Sequence, residues 1–137
     1  MPDDATHLTR AEQAFDEAES MRSTSRWRWA SVAYFYAAMH AVHSAFPSMV
    51  DVPLSLKHPE AHTGPDGTLT VVRRHLPGVF APYFSLFSTS VDVRYNGLVV
   101  AQGLIEQHRY TDLPVIGAWV CKHLHGLNCA GCWMSAL

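Results

Sequence analysis

Charge is scarce in this chain of 137 residues: Asp, Glu, Lys and Arg make up 16%, and the formal net charge is -2 with histidine neutral. A balance so close to neutral excludes a global electrostatic pull towards nucleic acid, so any such binding must use a local patch. Cysteine is scarce too. There are three, an odd number, and they give no disulfide framework. The sequence has no strand-and-turn series, internal repeat, low-complexity tract or Gly-rich phosphate loop. Its first twenty residues are acidic and lack the basic-then-apolar pattern of a signal peptide, which makes a cytoplasmic location the expectation.

What is present is hydrophobic: 48% of the residues, ordinary for a globular protein and enough for one domain with its own core. The organising stretch is Trp29 to Phe46, WASVAYFYAAMHAVHSAF, which lies between Arg28 and Pro47 and holds no Asp, Glu, Lys or Arg. Trp29, Val32, Tyr36, Met39, His43 and Phe46 recur at helical spacing. On the other side Ala30, Ala33, Ala37, Ala38, Ala41 and Ala45 are small enough for a second helix to approach closely. A helix apolar all round is a central core helix or a membrane span. His40, His43, Ser31, Ser44 and the tyrosines argue against a span. The expectation is the buried central helix of a bundle, with Trp29 and Tyr36 in the core and no membrane partner.

Residues 1–8 are expected to form a flexible N-terminus. Thr9 and Glu12 have capping-box spacing and open an amphipathic helix on Ala11, Phe15, Ala18 and Arg22. Ser23-Thr24-Ser25 closes it and offers a cap for the central helix. Arg26 and Arg28, which bracket Trp27, read as solvated, with their stems on aromatic surface. After Phe46, prolines and glycines exclude a long regular element for some twenty residues. Loops of that length in compact domains are usually functional or disordered. This one carries His58-Pro59-Glu60-Ala61-His62, either a functional polar cluster or a histidine-bearing surface loop. Thr68 reads as the N-cap of a short helix with Leu69, Val72 and Leu76 on one face. Arg73, Arg74 and His75 lie on the other, a positive cluster that solvation explains as well as nucleic acid does.

Val79 to Tyr95 is a third apolar helix, ended by Gly97. Arg94, near its end, requires a carboxylate partner or a polar cleft. Leu98 to Tyr110 is ambiguous, with Leu98-Val99-Val100 extended and a helical turn or two after it. Thr111-Asp112 is expected to cap the last helix, with Pro114 in its first turn and a stripe of Leu113, Ile116, Val120, Leu124 and Leu127. The fold class is all-α: an up-and-down helical bundle of four to five helices over residues 9–127, followed by a Cys-containing C-terminal tail, 128–137. Cys121 and His125 share a helix face four residues apart, and Cys129-Ala-Gly-Cys132 follows with knuckle spacing. Together they form a candidate Cys3His set for structural zinc, with His123 competing for the fourth place. The alternative is a core Cys121 and a separate surface CxxC pair.

The tract Trp29-Ala-x-x-Ala-Tyr-x-Tyr36-Ala-Ala-x-His40, the histidine- and proline-bearing loop, and Arg94-Tyr95 ending a later helix together resemble the HEPN superfamily. These are small helical bundles associated with RNA cleavage, nucleotide binding, toxin–antitoxin pairs and defence systems, and the resemblance spans roughly residues 25 to 125. HEPN ribonucleases carry an arginine followed, after four to six residues, by a histidine, and no arginine here meets that spacing. After Arg94 the corresponding positions are Val99, Val100 and Ala101, none of which can transfer a proton. The resemblance therefore implies a binding or regulatory module, engaging RNA or a nucleotide, in a homodimer or small heteromeric complex, with no cofactor required. The alternatives are a metal-independent ribonuclease with a rearranged Arg/His site and a ligand-free protein-interaction module. The residues that would meet through the fold are Arg94 and Tyr95 with His58, His62 or His40.

Overall fold

The computed structural model describes residues 4–125 and 133–137. In chain order the helices are α1 (Asp4–Ser23), α2 (Trp27–Ala45), α3 (Thr68–His75), α4 (Pro77–Tyr95), α5 (Gln102–Gln107) and α6 (Leu113–His125). Short 3-10 turns lie at Phe46–Ser48, Leu54–Leu56 and Trp133–Ala136, and the described residues contain no strand. The fold is an all-α helical bundle. No helix of the described residues is long and apolar enough to cross a membrane.

Thirteen of the nineteen residues of α2 are buried, and α2 packs against α1, α4 and α6, which makes it the core helix. The alanines decide how this is achieved. Ala30, Ala37, Ala38 and Ala45 are wholly inaccessible, and their small side chains leave room for the large rings of Tyr34 and Phe35 beside close helix neighbours. Trp29 departs from the expectation, being 52% exposed. It lies in the first turn of α2, beside the point where α4 ends: the Arg28 guanidinium donates to the Val93 carbonyl at 3.4 Å. Val99 and Val100, which follow the end of α4, line a groove there with Trp29. Tyr36 is half-buried against the core.

Helix α1 begins at Asp4, not at the capping box. The Thr9 hydroxyl donates back to the Ala5 carbonyl inside the helix (3.0 Å). The first turns are held by His7, which is buried and whose ring meets those of His40 and His43. At its other end Glu19 is a hub. It accepts from the Tyr34 hydroxyl at 2.6 Å, from Arg22 at 2.9 Å and from Arg109 at 2.7 Å. One carboxylate thus joins α1, α2 and Arg109, just after α5; burial pushes its pKa up, but these hydrogen bonds and cations outweigh that and hold it below the ordinary value. The α1–α2 link closes without a side-chain cap on α2: the Ser23 and Thr24 hydroxyls donate to Ser20 instead, and Ser25 takes a φ of 60°.

The last helix does not start at Thr111-Asp112. Helices α5 and α6 run into one another through a π turn, His108–Asp112. The Leu113 N–H donates to the His108 carbonyl, five residues back. Pro114 explains the widening. Its nitrogen cannot donate and its ring would strike the carbonyl of Tyr110, so a wider turn just before it relieves both problems. The π turn also pulls His108 fully inside and buries Asp112. After residues 126–132, Trp133 to Leu137 returns to the bundle. Met134 is buried, the Trp133 ring lies 5.2 Å from that of Phe15, and a Cβ added at Gly117 would meet the Leu137 and Met134 side chains at 2.9 and 3.3 Å. A larger residue at 117 would have to push the Leu137 side chain aside.

Candidate functional site

Arg94 lies in the last turn of α4, which ends as the sequence indicates. Gly97 adopts a φ of 69°, and the Leu98 and Asn96 N–H groups both donate to the Asp92 carbonyl, at 3.1 and 3.0 Å. The Arg94 side chain folds back along the helix: Nε donates to the Ser90 carbonyl at 3.2 Å and a terminal N–H to the Tyr36 hydroxyl at 3.1 Å. The guanidinium carbon lies 5.2, 5.6 and 5.9 Å from the ring centres of Tyr95, Tyr36 and Phe35. Among the described residues none of the ion pairs includes Arg94. The carboxylate partner envisaged for it, such as Glu60, is not there. Three aromatic rings, one of them also through its hydroxyl, hold the cation at a half-buried position, which cation–π attraction permits.

The histidine loop reaches this cleft through His62. The ring of His62 stands edge-on to Phe35 (5.6 Å) and Tyr36 (6.2 Å), the same two rings that hold Arg94. Burial, and then the nearby positive charge of Arg94, lower its pKa below the ordinary histidine value. The local backbone explains its position. The first N–H groups of α3 have no partner within their own helix, and they are taken by the loop: Thr68 N–H donates to the Ala61 carbonyl at 2.9 Å and Leu69 N–H to the His62 carbonyl at 3.0 Å. The loop must therefore pass very close to Gly67, where an added Cβ would fall 2.2 Å from the Thr63 carbonyl oxygen. Only glycine fits. Gly67, not Thr68, occupies the N-cap, and the Thr68 hydroxyl lies 2.7 Å from His43 Nε2.

The other expected site residues sit around His43 rather than Arg94. His40 Nδ1 is 3.1 Å from His7 Nδ1. Burial, with His7 and Arg10 adding repulsion, takes the pKa of His40 down to about 4. His43 is buried, and burial, reinforced by His7, His40, His62 and His58, takes it down to about 3. His58 lines a cavity of about 580 Å³ inside its own loop, together with Glu60 and Asp66. Two carboxylates make that cavity a poor host for an anion. The structure thus joins Arg94, Tyr95 and His62, while no hydrogen bond, ion pair or ring contact among the described residues links His58 or His40 to Arg94.

Sequence reading places Tyr36 in the core, against which it packs, and misses its hydroxyl contact with Arg94. Its hydroxyl was the available signal, since a purely apolar stripe position has no use for one. A second polar group went unread at the π turn. Ser85 Oγ and Asp112 Oδ2 lie 3.4 and 3.9 Å from His108 Nε2. Both address the same ring nitrogen, and Nδ1 is buried without a hydrogen-bond partner, so this is not a nucleophile–base–orienting-acid arrangement, which needs the acid on the second nitrogen. Burial takes the His108 pKa down to about 4, and it stays neutral inside the bundle.

Of the candidate zinc set, Cys121 is buried in the core, while Cys129, Cys132 and the side chain of His125 lie outside the described residues. His123 stacks on Trp119 (3.8 Å), and its Nδ1 lies 3.0 Å from the Trp119 carbonyl oxygen. Among the described residues no group of three or more His, Cys, Asp or Glu side chains could hold a metal ion. In comparisons with known proteins, no family model, no curated protein and no solved structure matches this chain.

Proposed function

We propose that this chain is a HEPN-like binding or regulatory module that engages RNA or a nucleotide through Arg94. The observation that carries the reading is the state of that side chain: a half-buried guanidinium, bonded only to a backbone carbonyl and a phenol, ringed by aromatic groups and paired with no carboxylate among the described residues. A cation so placed is matched by a phosphate oxygen. The Tyr95 ring, 73% exposed, offers a base a stacking face beside it. The resemblance to HEPN proteins extends the proposal to a place in a toxin–antitoxin or defence system, as a homodimer or one member of a small complex in the cytoplasm.

A second reading is favoured by His62. Burial and Arg94 keep its imidazole neutral at neutral pH, so it is competent to take the proton of a 2′-hydroxyl while Arg94 steadies the charge on phosphorus. That is half of a metal-independent ribonuclease. The acid that must protonate the departing 5′-oxygen has no side chain assigned, which leaves binding as the first reading.

Isothermal titration of the protein with uridine monophosphate and with a short oligouridylate, at low and moderate salt, tests the proposal. Arg94→Ala is expected to abolish binding while leaving the thermal midpoint within a few degrees, the shift of about 1 kcal/mol in a domain of this size. An unfolded variant, together with a wild type that binds neither probe, would make Arg94 an architectural residue. Appearance of a 2′,3′-cyclic phosphate product, lost in His62→Ala, would instead establish the ribonuclease.

A further inference from the structure

We infer that the ligand of the Arg94 cleft is a single strand of nucleic acid several nucleotides long, whose path continues across the groove at the start of α2. The inference rests on the reading of Arg94 as an anion-binding residue and adds a second surface to it.

That surface is the corner of the bundle at the start of α2, where Trp29 is half-exposed. A groove of about 310 Å³ is lined by Arg26, Trp27, Arg28, Trp29 and Val99. Trp29 is 52% exposed and its neighbour Val99 84%. The Arg28 guanidinium carbon lies 5.8 Å from the Trp29 ring, and its NH2 group reaches the Val93 carbonyl, one residue before Arg94. Neither Arg26 nor Arg28 belongs to any ion pair among the described residues. In a chain with net charge -2, two exposed arginines interleaved with two tryptophans are a local anion-seeking patch. The ordinary account, arginine stems covering aromatic surface, leaves Trp29 half in water and neither guanidinium paired with a carboxylate among the described residues.

The two surfaces share one line along the protein. Trp29 and Tyr36 are seven residues apart on α2, two helical turns and hence on one face, ~10.5 Å along the axis. A stacked strand advances ~3.4 Å per phosphate, so about three nucleotides span from the Arg94–Tyr36 contact to the Trp29 ring. Exposed rings alternating with cations are how single strands are held without sequence preference, the bases stacking and the phosphates pairing. An acidic peptide would use the arginines and have no need for Trp27, Trp29 and Tyr95.

The test compares uridine monophosphate with an eight-nucleotide oligouridylate. The oligomer should bind at least about tenfold more tightly and quench tryptophan fluorescence. The Arg26→Gln/Arg28→Gln double variant should lose that gain and lower the steepness of the log K against log salt line by about 1.4, two contacts at about 0.7 each for a single strand. Its affinity for the monophosphate should stay unchanged. Both arginines are exposed, so the variant is expected to fold, which far-ultraviolet circular dichroism checks. If the monophosphate binds in an Arg94-dependent way but the oligomer binds no more tightly, or the double variant keeps the gain, the groove is off the path and the inference is wrong. An eight-residue polyglutamate peptide that competes as well as the oligomer would also overturn it. Binding of neither probe instead removes the reading of Arg94 itself.

Discussion

Acid should loosen this bundle before its carboxylates titrate. His43 and His108 are both buried, 9% and 0% exposed, and burial lowers their pKa values from an ordinary 6.5 to about 3 and about 4. In the unfolded chain both recover ordinary values, so between pH 4 and 6.5 the unfolded state binds more protons and stability rises with pH. The stabilisation is complete above 6.5 and is lost as pH falls from there towards the folded values. From pH 7.5 to 5, a histidine of ordinary pKa that must stay neutral in the fold gives up about 2 kcal/mol, hence about 4 kcal/mol for the pair, and His40, lowered to about 4 at a half-buried position, adds up to about 2 kcal/mol more. Against a total of about 5–15 kcal/mol, that is a large share. The lowered pKa of Glu19 adds its loss only below the ordinary value of 4.5, outside this interval. Urea denaturation followed by circular dichroism at pH 7.5, 6.5, 5.5 and 5 measures the slope. His43→Gln, which keeps a donor for Thr68, should remove about 2 kcal/mol of the change, the share of one histidine. A change under about 1 kcal/mol across that interval would refute the idea that these histidines are held neutral.

The remaining predictions concern the scaffold. Gly67→Ala should destabilise the fold by about 1–3 kcal/mol, because its Cβ must displace the Thr63 carbonyl, and should weaken ligand binding through His62; an unchanged thermal midpoint would contradict the packing. Glu19→Gln leaves Arg22 and Arg109 without their carboxylate and should cost about 2 kcal/mol, between the values for exposed and buried pairs, read by thermal melting. Phe35→Ala should cost about 3–5 kcal/mol, whereas Trp29→Ala, in a half-exposed ring, should cost clearly less; equal losses would argue against the exposed corner. A structural zinc on Cys121, His125, Cys129 and Cys132 would appear as about one equivalent of metal in protein purified without chelator, and less than about a tenth would remove it.

The central helix was legible because apolar periodicity and the absence of charge are local signals. Trp29 was misplaced because periodicity marks which residues share a face, not whether another helix reaches that far along it. The start of α1 was unreadable for a different reason: His7 finds its partners thirty-three and more residues away, on α2. Pro114 was visible, but a proline near a helix start and one behind a π turn look alike in sequence. The need of Arg94 for a special environment could be argued from its position before Tyr95 and Gly97. That the environment would be three rings depends on how α2 meets α4, and the place of His62 beside it on the loop clamp at Gly67; only the fold creates either.

The ring of His62 is the most direct reporter on the cleft. Its pKa, followed by the pH dependence of its proton resonances, should lie below 6.5 in the free protein, held there by burial and by Arg94. Saturation with uridine monophosphate should raise it, because a phosphate on Arg94 cancels the positive charge that His62 feels. Arg94→Ala should raise it without ligand and abolish the response to ligand. A His62 titration curve that the nucleotide leaves unmoved, in protein that is demonstrably folded, would contradict the assignment of Arg94 as the phosphate-binding residue.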